Sequence, residues 1–262
     1  MYTNGTIADG EKIIDFFINK VFNQDCLEIL QQLPSDSVDL ILQDPPYNQT
    51  ALDFEWDIFE KIDQFWEQWL RVVKDNGAIV MTATQPFTSK LVVSNLKAFK
   101  HEWIWVKNVA AGMMLAGKAP MKRHESILVF GKGRTKFNPQ KILGSLTSQN
   151  HSKKGYKYKN NTSKLYNVEG GVEFVWSEYV NPHSVLPCNA VGNRDKEKVH
   201  PNQKPIALFE YIIKTYTDEG DVVFDGFAGS GTTAVACNNL NRRWILCETD
   251  QRYCEIIKGR LA

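Results

Sequence analysis

Between residues 221 and 248 a strand, a glycine loop, a helix and a second strand follow one another and end on an acid. Few folds accommodate that order. Asp221-Val222-Val223-Phe224-Asp225 is short and mostly apolar, and predicts a strand buried on both faces. The loop Gly226-Phe227-Ala228-Gly229-Ser230-Gly231-Thr232-Thr233 leads into a helix over residues 230–240. Arg243-Trp244-Ile245-Leu246-Cys247 predicts the next strand, and Glu248 stands at its carboxyl end. Such a unit holds a nucleotide-like ligand between the loop and the acid, which can accept from both ribose hydroxyls.

Which ligand follows from the charges. Gly229, Gly231 and small Ala234 fit a dinucleotide loop, so an NAD-type enzyme is one reading. Against it, Asp225 sets a carboxylate directly before the loop, where a pyrophosphate would be repelled. A ligand carrying an ammonium group, as S-adenosylmethionine does, suits that carboxylate, and the helix N-terminus can hold the ligand's own carboxylate. A P-loop is excluded, because no Gly-Lys-Ser/Thr is present. Phe227, Ser230 and Thr232 join the glycines as candidate contacts.

A second stretch shares the strand-end setting. The apolar run Val38-Asp39-Leu40-Ile41-Leu42 precedes Asp44-Pro45-Pro46-Tyr47. The acid and free carbonyls there accept hydrogen bonds, the prolines stiffen the backbone, and the tyrosine offers a π-face. Such a corner suits a flat polar ring, though a Pro-rich surface turn is an equal reading of these four residues alone.

Elsewhere strands and helices alternate. Residues 20–24, 78–81, 101–107 and 127–130 predict strands, and 26–33, 60–74, 86–96, 206–216 and 252–261 predict helices. Asn76-Gly77 reads as the stop of the helix before it, and 108–123 as a mobile loop. Residues 1–19 form an arm and 48–57 an irregular aromatic loop. Alternation of this kind predicts a doubly wound, largely parallel α/β sheet.

The chain is 262 residues long with a net charge of only +1, so any affinity for a polyanion must come from local charge. Residues 126–168 contain no Asp or Glu, yet hold Lys132, Arg134, Lys136, Lys141, Lys153, Lys154, Lys157, Lys159 and Lys164, with Tyr156 and Tyr158 between them. A solvated surface insertion would explain such a run; the complete absence of acid favours an anionic partner. Lys122 and Arg123, just before it, extend the candidate surface. No apolar run approaches the roughly 20 residues that span a bilayer, and no secretory leader is visible, so the expectation is a cytoplasmic protein without a membrane partner. Five cysteines without a CxxC spacing predict reduced thiols and no structural metal.

Taken together, Asp44-Pro45-Pro46-Tyr47 followed much later by Phe227-Ala228-Gly229-Ser230-Gly231 resembles the β group of DNA amino-methyltransferases, in which the acceptor motif precedes the donor motif. His200-Pro201-Asn202-Gln203-Lys204-Pro205 and Asn23-Gln24-Asp25-Cys26 are similar to two further blocks of that family. The resemblance implies a seven-stranded Rossmann-like sheet, S-adenosylmethionine as cofactor and double-stranded DNA as partner. It implies donor contacts from Asp25, Cys26, Lys204, Pro205, Asp225, Phe227, Gly229, Ser230, Gly231, Thr232 and Glu248. Asp44, Pro45, Pro46 and Tyr47 would receive a base flipped out of the duplex. Residues 20–133 and 199–262 would be the catalytic domain and 134–198 a target-recognition insert. The leading Asp of the acceptor motif points to the adenine N6 amine over the cytosine N4 amine. Many members are dimers, so a homodimer is open, as is a catalytically idle subunit of the same fold or methylation of RNA or a protein amide. One departure stands out: Gly226 occupies the place of the family's proline, which relaxes the entry to the loop, with room for a lower donor affinity, but keeps the contact atoms.

Overall fold

The structure is a computed structural model that describes residues 13–47, 61–155, 157–160, 172–175, 177–192, 195–196 and 198–262. The aromatic loop expected at 48–57 and most of the arm lie outside the described residues. The chain divides into two compact units, residues 139–183 and all the rest.

The larger unit carries one eight-stranded sheet. In chain order its strands are β1 (Lys20–Phe22), β2 (Val38–Gln43), β3 (Val73–Ala83), β4 (Phe99–Ala111), β5 (Lys122–Phe130), β10 (Val185–Pro187), β11 (Val222–Asp225) and β12 (Arg243–Cys247). Their spatial order is β1-β12-β11-β2-β3-β5-β4-β10, parallel throughout except that β5 runs against both of its neighbours. The doubly wound α/β fold is therefore as expected, with one edge strand more than seven. That strand, β10, is too short to show a period, and it pairs with β4 through a non-local register that starts at Val185 and Ile104.

Helices cover both faces. On one side α1 (Cys26–Gln32), α2 (Ile62–Val72) and α3 (Phe87–Ser94) bury Leu30, Phe65, Trp66, Trp69 and Leu91 against Ile41, Ile79 and Phe224. On the other, α5 (Ile206–Tyr216), α6 (Thr232–Asn239) and α7 (Gln251–Leu261) bury Phe209, Ile212, Ala234 and Ile257 against Leu40, Leu42 and Val223. Burial of each large side chain contributes about 1.5–3 kcal/mol. Ile14 and Phe17, assigned to the arm from sequence, are part of this core.

Asp39 explains how a carboxylate survives in β2, whose six residues are all buried. It takes the Lys74 ammonium at 2.8 Å and the Val222 backbone N–H at 2.9 Å, so it joins β2 to the start of β11. Those two strands point their carboxyl ends the same way and diverge in connection, which makes their junction the topological switch point.

Three local expectations change. The helix over 60–74 ends at Val72, and Asn76-Gly77 lies inside β3 at a register shift, where a Cβ on residue 77 would meet the Asp39 carbonyl at 2.8 Å. The loop expected at 108–123 is shortened by a hairpin, since β4 continues to Ala111 and pairs it with Lys122. Its Ala-, Gly- and Met-rich residues hide the strand period, which only cross-strand hydrogen bonds establish. Finally, residues 134–138 and 184–198 of the expected insert belong to the larger unit, where Asn138 donates hydrogen bonds to the Thr217 carbonyl and to Asp218.

The smaller unit holds two antiparallel pairs, β6 (Ile142–Leu143) with β9 (Tyr179–Val180) and β7 (Lys157–Asn160) with β8 (Val172–Val175). Its helix α4 (Leu146–Lys153) is capped by Ser145, whose hydroxyl accepts from the Ser148 N–H at 3.2 Å.

Candidate active site

A cavity of about 620 Å³ opens at the carboxyl ends of β2 and β11. Asp44, Pro45, Pro46 and Tyr47 line one side of it, and Asp225, Phe227, Gly229, Ser230, Thr232 and Glu248 line the other, with Cys26 and Lys204. Two motifs about 180 residues apart thus share one chamber, because β2 and β11 are hydrogen-bonded neighbours.

The wall that carries Asp44 and Tyr47 is a charged network. Asp44 lies 2.6 Å from the Lys204 ammonium, and its Oδ1 is 2.9 Å from the Tyr47 hydroxyl and in hydrogen-bond contact with Thr82. Tyr47 Oη is 2.7 Å from Thr82 Oγ1 and 3.5 Å from Glu125 Oε2. Glu125 also takes the ammonium of Lys107 and lies 3.7 Å from that of Lys204. Burial raises the Tyr47 phenol well above its ordinary value, and the Asp44 and Glu125 charges add to it. Tyr47 therefore donates a proton rather than carrying a charge. For Lys204 burial works downward, but Asp44 and Glu125 outweigh it and hold the ammonium above the usual lysine range.

The opposite wall, with Asp225, Gly229 and Glu248, is organised by backbone. Glu248 accepts from the Gly229 N–H at 2.8 Å and the Asp250 N–H at 2.9 Å, and its carboxyl is raised by partial burial. Gly229 has φ 50°, a left-handed conformation that glycine adopts without strain. Asp225 accepts from the Phe227 N–H at 2.9 Å and from the Thr233 hydroxyl, so both carboxylate oxygens brace the loop. Burial pushes its pKa up to about 7, a poised acid that a neighbouring ammonium would ionise. A half-buried glutamate beside a glycine loop, and a buried carboxylate needing a cation, fit S-adenosylmethionine in kind.

Not every residue expected from sequence reaches the cavity. Asp25 caps α1 by accepting from the Leu27 N–H at 2.9 Å and does not line the chamber, whereas its neighbour Cys26 does. Pro205 opens α5, and Gly231 opens α6 where a Cβ would meet Ile257 at 2.8 Å; both are packing positions. Lys136 is corrected outright: its ammonium lies 2.9 Å from Asp218 and 2.6 Å from Asp221, at the amino end of β11, opposite the cavity. Lys122 borders the cavity, Arg123 donates to the Lys107 carbonyl, and Lys153 and Lys154 are exposed at the end of α4. Lys157 and Lys159 belong to β7.

Sequence reasoning missed Thr82, Lys107 and Glu125. Their signal was a polar residue set within an apolar strand, legible only once the strands are side by side. At Gly226 the structure adds a packing reason. A Cβ there would meet Cys26 Cβ at 2.8 Å and Sγ at 3.0 Å, with Gln43 Oε1 at 3.3 Å, so a side chain is excluded sterically.

A family described as DNA methylase, the N6/N4 methyltransferases, matches residues 38–259. The chain belongs to this family. Among the relatives of this methyltransferase, the type II methyltransferase M.HpaI of Haemophilus parainfluenzae is 32% identical over 248 residues, covering 90% of this chain and 71% of the relative. The type II methyltransferase M.HinfI of Haemophilus influenzae is 28% identical over 276 residues, covering 95% and 69%. The M1.HpyAVI–SAM complex is similar in structure with a TM-score of 0.57 and 25% identity, covering 92% of this chain and 98% of that one. The cytosine-N4-specific PvuII DNA methyltransferase shares the fold with a TM-score of 0.65 at 17% identity, covering 93% and 86%.

Proposed function

We propose that this DNA methyltransferase transfers a methyl group from S-adenosylmethionine to the exocyclic N6 amine of an adenine flipped out of duplex DNA. The observation that carries the reading is the shared chamber, with the Asp44 network on one wall and the Gly229–Glu248 loop on the other. When bound, the donor supplies a methyl on a positively charged sulfur. Glu248 is the group suited to its ribose, and Asp225 and the start of α6 to its amino-acid end.

An exocyclic amine on a heteroaromatic ring is a weak nucleophile, since its lone pair is delocalised into the ring. A carboxylate and a carbonyl that accept both N–H groups favour the pyramidal amine. Asp44 and the Pro45 carbonyl are the acceptors in this reading, and the ring of Tyr47 is the stacking surface. Thr82 and Tyr47 hold the Asp44 carboxylate from behind, which fixes its direction.

The choice of adenine rests on the aspartate that leads Asp44-Pro45-Pro46-Tyr47. The smaller unit, with its basic residues, is read as the part that selects the target. Mapping modified bases in DNA from cells that express the chain tests both claims. N6-methyladenine at one recurring sequence is the expected result. N4-methylcytosine instead would replace the base assignment. Unmodified DNA, with label from the donor appearing in RNA or protein, would overturn the substrate.

A further inference from the structure

The outer part of the hairpin of β4 and β5, beyond Lys107 and Glu125, takes no part in the charged network around Asp44, and its composition sets it apart. Residues 103–124 contain no Asp or Glu but include Lys107, Lys118, Lys122 and Arg123. The hairpin starts at the acceptor pocket, where Lys107, Lys122 and Glu125 line the cavity. Beyond Lys107 the strand passes through a register shift to Ala111, which pairs with Lys122. There Gly112, at φ 90°, turns the chain into a single 3-10 turn, Met113–Leu115. Met113 is 78% exposed and Met114 99%. Two adjacent thioether side chains held in water at the tip of a ribbon have no packing role within the described residues.

We propose that this tip is a wedge that enters the base stack of duplex DNA beside the acceptor pocket and fills the gap left by the departing nucleotide. The inference rests on the reading of duplex DNA as the methyl acceptor. Apolar side chains inserted between base steps unstack them, and unbranched methionine adapts to the irregular faces it meets. Lys118, Lys122 and Arg123, near the tip, suit the phosphates on either side of that step, whereas Lys107 is held by Glu125. A second copy of this chain would also cover the methionines, but at a net charge of +1 it matches a cationic ribbon less well than the phosphates of a duplex do.

The mapped target sequence, placed in two short duplexes, tests the wedge: one is fully paired and one carries a mismatch opposite the target base. The double change Met113→Ala, Met114→Ala should lower methylation of the paired duplex on the order of tenfold. On the mismatched duplex it should cost less than about threefold, because the mismatch already removes much of the cost of opening. Met113→Leu with Met114→Leu should keep most of the wild-type rate on both. Both residues are exposed, so the thermal midpoint of each variant should match the wild type. Equal losses on the two duplexes, or no loss on the paired one, would overturn the wedge while leaving the methyltransferase reading intact. So would a wild-type dimer in sedimentation that the alanine variant dissolves, which would give the tip to a second copy. A wild-type chain that modifies no DNA overturns the acceptor reading first, and the wedge with it.

Discussion

The Lys204 ammonium lies 2.6 Å from the carboxylate of Asp44, 160 residues away in the chain. With Glu125 3.7 Å from the same nitrogen, one buried cation holds two carboxylates at the place where the substrate amine must arrive. Lys204 was expected on the donor from sequence; its ammonium meets Asp44, and in the proposed reading it sets the direction of that acceptor. Lys204→Ala would leave the two carboxylates facing each other, at a cost of about 3 kcal/mol. Urea unfolding should show that loss, and turnover should fall far more than donor affinity. A variant with normal turnover would remove Lys204 from the acceptor network.

Asp44→Ala removes the acceptor of the amine proton without touching the glycine loop. Transfer should drop on the order of 10²–10⁴-fold, the range for a positioned carboxylate in proton handling. Donor affinity, read by calorimetry, should change little. Retained transfer would mean that another group does this work.

Asp225 makes donor binding depend on pH in a defined direction. Its folded-state pKa is raised to about 7 by burial, above the ordinary carboxylate value, so the neutral form dominates just below neutrality. A cationic donor favours the ionised form. Affinity should therefore strengthen as pH rises towards about 7 and level off above it, with a proton released on binding at pH 6. For stability the sign is opposite: this group's contribution is full at low pH and declines as pH rises through about 7. Asp225→Asn should flatten the affinity profile; a profile unchanged by that substitution would assign the titration elsewhere.

Gly226→Ala should destabilise the fold by about 1–3 kcal/mol, the usual cost of overpacking. The cause is the new Cβ against Cys26, so Cys26→Gly should recover part of the loss in the double variant. Additive thermal shifts would place the strain somewhere other than that pair.

The lysines divide into two groups that salt titration should separate. Reversing charge at Lys153, Lys154, Lys157 and Lys159 should weaken DNA binding and flatten its salt dependence, by about 0.9 in slope for each phosphate no longer neutralised. Lys136→Ala should leave the slope alone and lower stability, because its charge is held by Asp218 and Asp221. A salt slope unmoved by the four reversals would return the smaller unit to a solvated surface.

Strands β2, β11 and β12 were legible because they are continuous apolar runs, and α2 and α5 because their apolar stripes recur at the helical period. Donor-loop residues such as Gly229 and Glu248 were legible for a related reason, since strand, loop, helix and acid are adjacent in the chain. The hairpin extension to Ala111 and Lys122, strand β10 and the Thr82–Lys107–Glu125 wall were not. Each depends on a partner far away in sequence, and nothing local marks it.

The sequence by itself marked the two stretches that the proposed chemistry uses, the corner at Asp44 and the residues from Asp225 to Glu248, because each is built from neighbouring residues. Only the tertiary structure decided that they meet, through the pairing of β2 with β11. It also decided which charges are available to a substrate. Lys204 and Lys136 look alike in the sequence, yet one is buried against Asp44 and the other is bound at the far end of the sheet. Whether a charge is free depends on what folds against it, and the chain brings those carboxylates from elsewhere.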